Sequence, residues 1–94
     1  MAAELETTFL VETYVPNLDG RAAATISLRY RSAIRELNRQ GVALRWLRSY
    51  ALIEDETFLC IVAARRSDEV VELSRRAGLD PDHVVQLVQL DPAP

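Results

Sequence analysis

Lysine is absent from this chain: its eleven basic residues are all Arg, set against fourteen acidic residues for a net charge of -3. With that balance there is no long-range attraction for nucleic acid or anionic lipid, so neither is an expected partner. A GC-rich bacterial genome accounts for the all-Arg usage without invoking a selected anion site. Cysteine is limited to Cys60, which excludes an intrachain disulfide and gives no reason to place the protein in an oxidising compartment. No apolar run approaches the roughly 20 residues of a membrane span. The opening MAAELETTF lacks the basic region and apolar stretch of a signal peptide, so a soluble, cytoplasmic protein is expected. Also missing are HxxxH, CxxC, P-loop, GxSxG and dinucleotide motifs. Nothing positive therefore points to nucleophilic catalysis, and a non-enzymatic role is the expectation.

What is there reads as one globular domain spanning residues 1–94, with an ordered core from about 8 to 92. At 49% hydrophobic and 27% charged residues, the chain has the ordinary globular mix rather than that of a disordered one. The first seven residues look like an arm and Ala93-Pro94 like a tail. Thr8 to Val15 alternates as a strand does, and Pro16-Asn17-Leu18-Asp19-Gly20 breaks it. From about Ala22 to Gln40 the residues Ala23, Ile26, Tyr30, Ala33, Ile34 and Leu37 recur at helical steps, and Gly41 suits a left-handed stop. Strands follow at about 42–53 and 57–64, joined across Glu54-Asp55-Glu56. A second helix is expected from Ser67 as N-cap, with Asp68 and Glu69 in its first turn. Val70, Val71, Leu73 and Ala77 form its buried side, and Gly78-Leu79 closes it. His83 to Leu90 reads as a last strand.

The order β-α-β-β-α-β is that of an α+β, ferredoxin-like domain. Right-handed crossovers give a four-stranded antiparallel sheet ordered 4-1-3-2, with both helices on one face. A three-residue hairpin loop at 54–56 sets Leu52 opposite Phe58, Tyr50 opposite Cys60 and Arg48 opposite Val62. Leu47, Ser49, Ala51, Leu59, Ile61 and Ala63 then lie under the helices with Phe9, Val11 and Val15. The open face carries Leu10, Glu12, Tyr14, Trp46, Arg48, Tyr50, Phe58, Cys60 and Val62. So much exposed apolar surface predicts a homodimer packing sheet on sheet.

On that face Glu12, Tyr14, Trp46, Arg48, Tyr50 and Cys60 are the candidate ligand-binding residues, and an ion pair between Glu12 and Arg48 is the economical interpretation of the two charges. Cys60 on a central strand is more often an inert small hydrophobe than a nucleophile. His83, after a turn, is expected to be exposed. Asp80, Asp82 and Asp91 lack calcium-loop spacing, and Arg29, Arg31, Arg35 and Arg39 make no clean basic stripe on the first helix.

The run GVALRWLRSYALIEDETFLCIVAA, followed by RAGLDPDHVVQLVQLDP and preceded by FLVE in the first strand, resembles the small actinobacterial nickel-binding (nickel-responsive) proteins, a family long classed as a domain of unknown function. The matching marks are Gly41-Val42, Trp46, Ser49-Tyr50, Cys60, Ala63-Ala64, Ala77-Gly78-Leu79 and Leu90-Asp91-Pro92. The resemblance implies a dimeric ferredoxin-like fold and nickel as the ligand. The family pattern has a His before the Ser-Tyr pair and a carboxylate in the last strand, where this chain has Arg48 and Gln86. A guanidinium has no lone pair for a metal and repels cations.

The expectation is therefore a non-catalytic, homodimeric small binding protein of the nickel-binding type with an altered metal site. Two rivals stand beside it: a cofactor-free monooxygenase or cyclase acting on an aromatic or polyketide ligand, which needs a deep apolar cavity, and a pure interaction module.

Overall fold

The computed structural model describes residues 6–90. Of the arm expected over the first seven residues, 1–5 lie outside them, as do the Asp91-Pro92 mark and the Ala93-Pro94 tail; the arm is shorter than expected, since β1 already begins at Thr7. Six elements follow in the expected order: β1 (Thr7–Tyr14), α1 (Gly20–Arg39), β2 (Arg45–Leu52), β3 (Thr57–Ala64), α2 (Ser67–Arg76) and β4 (His83–Gln86).

Local chemistry explains most of the boundaries. Asp19 is extended, and its Oδ1 accepts the Ala22 N–H at 2.8 Å, an N-cap that starts α1 two residues before the apolar periodicity shows it. Ile26, Tyr30, Ala33, Ile34 and Leu37 form its buried stripe. At its end Gly41 takes φ 92°. Gly41 and Val42 donate to the Asn38 and Leu37 carbonyls, both at 3.0 Å, and Val42 folds back onto the core. α2 closes the same way, with Gly78 at φ 84° and Leu79 donating to the Ser74 carbonyl at 2.9 Å. Its start differs from expectation. Arg66 is the extended N-cap residue, without a side-chain cap, and Ser67 is already helical. Glu69 Oε1 instead reaches back to the Arg65 N–H at 3.3 Å.

The strands form one antiparallel sheet in the order β2-β3-β1-β4, the expected order read from the other edge. β4 is shorter than the expected 83–90. The ladder gives way after Gln86, and one further bond joins the Leu87 N–H to the Thr8 carbonyl. Across the β1–β3 ladder Phe9 faces Val62, Val11 faces Cys60 and Thr13 faces Phe58. All six are buried, and they meet Tyr30, Leu73 and Val70 of the helices in the core.

The pairing of β2 with β3 departs from the sequence reading. Leu52 pairs with Thr57, so the turn has four residues, 53–56, closed by Glu56 N–H donating to Ile53 O at 3.1 Å with Glu56 at φ 49°. Tyr50 consequently faces Leu59, and Arg48 faces Ile61. A loop one residue longer slides the register by one and sends every β3 side chain to the other face. Phe58, Cys60 and Val62 therefore lie under the helices, while Leu59 and Ile61 belong to the open face. A second irregularity follows in β2: Trp46 pairs with Val62 and Arg48 with Ile61, leaving Leu47 as a bulge between them. The bulge turns Trp46 inward against Tyr30, with ring centroids 5.0 Å apart.

Candidate functional site

The face of the sheet away from the helices is built from three rows of side chains. His83, Glu12, Leu59 and Tyr50 follow one another across β4, β1, β3 and β2; Val85, Leu10, Ile61 and Arg48 form the next row, and Tyr14, Thr57 and Leu52 the third. Alternation alone accounts for the set, since residues two apart on a strand share a face. Tyr14, Tyr50, Leu52 and Val85 are about half exposed, and Leu47 at the bulge is also exposed. Among the described residues neither helix lies on this face, and the segment after β4 approaches it only at Leu87–Gln89, beside Arg48 and Ile61.

The candidate residues divide accordingly. Glu12, Tyr14, Arg48 and Tyr50 stand together on the open face. Trp46 and Cys60 do not join them: the first packs against Tyr30 with its ring tilted by 38° and the second is fully buried. Cys60 lies beside the Tyr30 ring in the core, and burial pushes its thiol up to about 12, so it is a neutral thiol at neutral pH. Burial, with Cys60 nearby, raises the Tyr30 phenol as well. That phenol shares a 2.8 Å hydrogen bond with the buried Ser74 Oγ. Thr13 Oγ1, also buried near the Tyr30 phenol, makes no hydrogen bond of good geometry among the described residues.

The expected ion pair is also corrected. Glu12 lies 3.4 Å from His83 Nδ1, and Arg48, exposed on the edge strand, has no acidic partner within 4 Å among the described residues. β3 stands between Glu12 and Arg48. His83 is the site residue that sequence reasoning passed over. Its signal was available, because a strand beginning at His83 beside β1 places the imidazole next to a side chain of Glu12 parity. The other acids of this face are already engaged. Glu6 takes a bidentate pair of bonds from Arg45 at 2.8 and 2.9 Å, and that guanidinium lowers the Glu6 carboxyl pKa. Glu56 accepts the Tyr14 phenol at 3.0 Å and the Asn17 N–H at 2.7 Å, which raises the Tyr14 pKa. Asp82 accepts the Tyr14 N–H at 2.6 Å.

Two shallow hollows flank the apolar centre. One of about 350 Å³ is lined by Glu12, Thr13, Tyr14, Thr57, Asp82 and His83. The other, of about 340 Å³, lies over the bulge between Leu47, Arg48, Ile61 and Val88. A larger hollow of about 480 Å³ lies on the helix side, near Asn17, Arg21 and Arg29. Among the described residues no three His, Cys, Asp or Glu side chains converge as a metal-binding group. No described helix is long and apolar enough to cross a membrane.

No protein-family model matches the chain, and no curated protein matches it. Among solved structures, the crystal structure of SCO4226 from Streptomyces coelicolor A3(2) is similar with a TM-score of 0.76, over 89% of this chain and 99% of that one, at 12% sequence identity. At such identity the likeness is one of fold alone. Strand order, helix placement and this neighbour agree that the chain has an α+β, ferredoxin-like β-α-β-β-α-β fold.

Proposed function

We propose that this chain is a non-catalytic binding protein that works as a twofold homodimer through the open face of its sheet, and that it does not keep the nickel site its resemblance implies. The observation that carries the reading is the run of exposed large side chains on that face. Tyr14, Tyr50, Leu52 and Val85 stand exposed around Leu59 and Ile61. A contiguous apolar surface of that kind is the usual mark of an interface, and a twofold dimer needs just one self-complementary patch.

The donor chemistry does not fit nickel. Glu12 and His83 bring one carboxylate and one imidazole, while Asp82 is engaged by the Tyr14 N–H and Cys60 is buried on the other side. Arg48 adds positive charge to the same face. Nitrogen, oxygen or sulfur donors in a tetragonal or octahedral set are what a divalent nickel ion takes. The cyclase-type rival needs a deep apolar cavity, and the hollows on the open face, of about 340 and 350 Å³, are open to solvent.

Sedimentation velocity of the wild type beside Tyr50→Lys tests the reading. The wild type is expected to sediment as a dimer at micromolar concentration, and the variant, folded by circular dichroism, as a monomer. A wild type that stays monomeric at every concentration would overturn the proposal.

A further inference from the structure

Among the described residues, the charges of the open face do not balance within one copy. Glu6 and Arg45 satisfy each other, and Glu56 and Asp82 accept bonds from Tyr14 and its neighbours. That leaves Glu12, whose one basic neighbour is an exposed His83, and Arg48, which has no acidic neighbour among the described residues. They flank the apolar centre at Leu59 and Ile61, one on β1 and one on β2. With β3 between them and a two-residue offset along the strands, their backbones are roughly 12 Å apart. Their side chains do not meet within the chain.

We infer that a second copy of this chain supplies the missing partner: Glu12 of each protomer pairs with the partner's Arg48, twice across one twofold axis. The inference rests on the homodimer proposed above and specifies how its two sheets are oriented. Covering the apolar rows removes water from both charges, and an ion left dehydrated and unpaired opposes association. Face-to-face sheets are related by an axis lying in the interface. If that axis passes midway between Glu12 and Arg48, perpendicular to the line joining them, each residue is carried over the other's counterpart. One operation then forms both pairs and stacks Leu59 and Ile61 at the centre. Because the line is oblique to the strands, the sheets cross steeply, nearer the orthogonal than the aligned class. The arrangement also puts a guanidinium beside the Glu12–His83 pair.

Charge reversal tests this with the intact chain. The single variants Arg48→Glu and Glu12→Arg should each weaken self-association by at least about tenfold in sedimentation velocity, because each sets like charges together twice. An equimolar mixture of the two should associate as the wild type does, since the heterodimer regains both opposite-charge pairs, and so should the double variant. Arg48 is exposed and Glu12 half-exposed in the single copy, so each variant is expected to fold, with circular dichroism as the control. A dimeric wild type whose single variants associate unchanged, or whose mixture stays weak, would overturn the pairing and leave the homodimer standing. A monomeric wild type would remove both.

Discussion

Cys60 shows how far one side chain's meaning depends on the face it takes. On the open face it would be an accessible thiol near Arg48; in the core, against Tyr30, it is a small hydrophobe with its pKa pushed up to about 12. Burial disfavours the thiolate, so the folded protein holds that proton more tightly than the unfolded chain does. The stability associated with it is full below the unfolded thiol's pKa near 9 and is lost as pH rises through that value toward about 12. Tyr30, raised by the same burial, adds to the loss in the same direction. Urea unfolding is therefore expected to show stability falling above pH 9, by up to about 1.4 kcal/mol per pH unit for each such group. At pH 8 a thiol reagent should label Cys60 only on the unfolding timescale. Labelling as fast as a free thiol would contradict this placement. The residue type and its strand were readable from the sequence, but its face was not, since alternation gives two sets without saying which is covered.

At the scale of elements, what was legible was what short-range chemistry decides. Gly41 and Gly78 announce two left-handed stops through their lack of a side chain, whereas the Asp19 cap was read only as part of a turn and came with the structure. Ser67 misled because a favourable N-cap residue stands one position late, where Arg66 takes the extended backbone. The β2–β3 hairpin misled more seriously. Its loop is 53–56 rather than 54–56, and Leu47 is an extra residue in the ladder. Both features are single-residue matters, and each reverses faces. Deletion separates bulge from ladder. Removing Leu47 leaves Trp46 and Arg48 as consecutive partners of Val62 and Ile61, so the variant should stay folded within about 1 kcal/mol of wild type. Removing Ser49 forces either Arg48 or Tyr50 under the helices and should cost roughly 3 kcal/mol or more. Urea midpoints of the two deletions read the difference, and equal losses would mean the bulge is not a spare residue.

At the scale of the whole molecule, sheet order decides which charges can meet. Because β3 lies between β1 and β2, Glu12 finds His83 of β4 rather than Arg48, and the donors for a metal stay dispersed. Calorimetric titration of metal-stripped protein with nickel is accordingly expected to give no heat of tight binding for the wild type. Arg48→His removes the positive charge and adds an imidazole, so detectable binding there would mean that Arg48 alone had closed the site. Tight binding by the wild type would restore the nickel reading and count against the cross-copy ion pair.

The sequence by itself determined the number and order of elements, the helix ends set by Gly41 and Gly78, and the sheet order, because period, turn chemistry and crossover handedness act locally or through chain connectivity. Tertiary structure alone decided which face of β3 is covered and which residue Glu12 meets. These depend on a one-residue register and on strands far apart in sequence, and packing against the helices selects the register that buries Phe58, Cys60 and Val62.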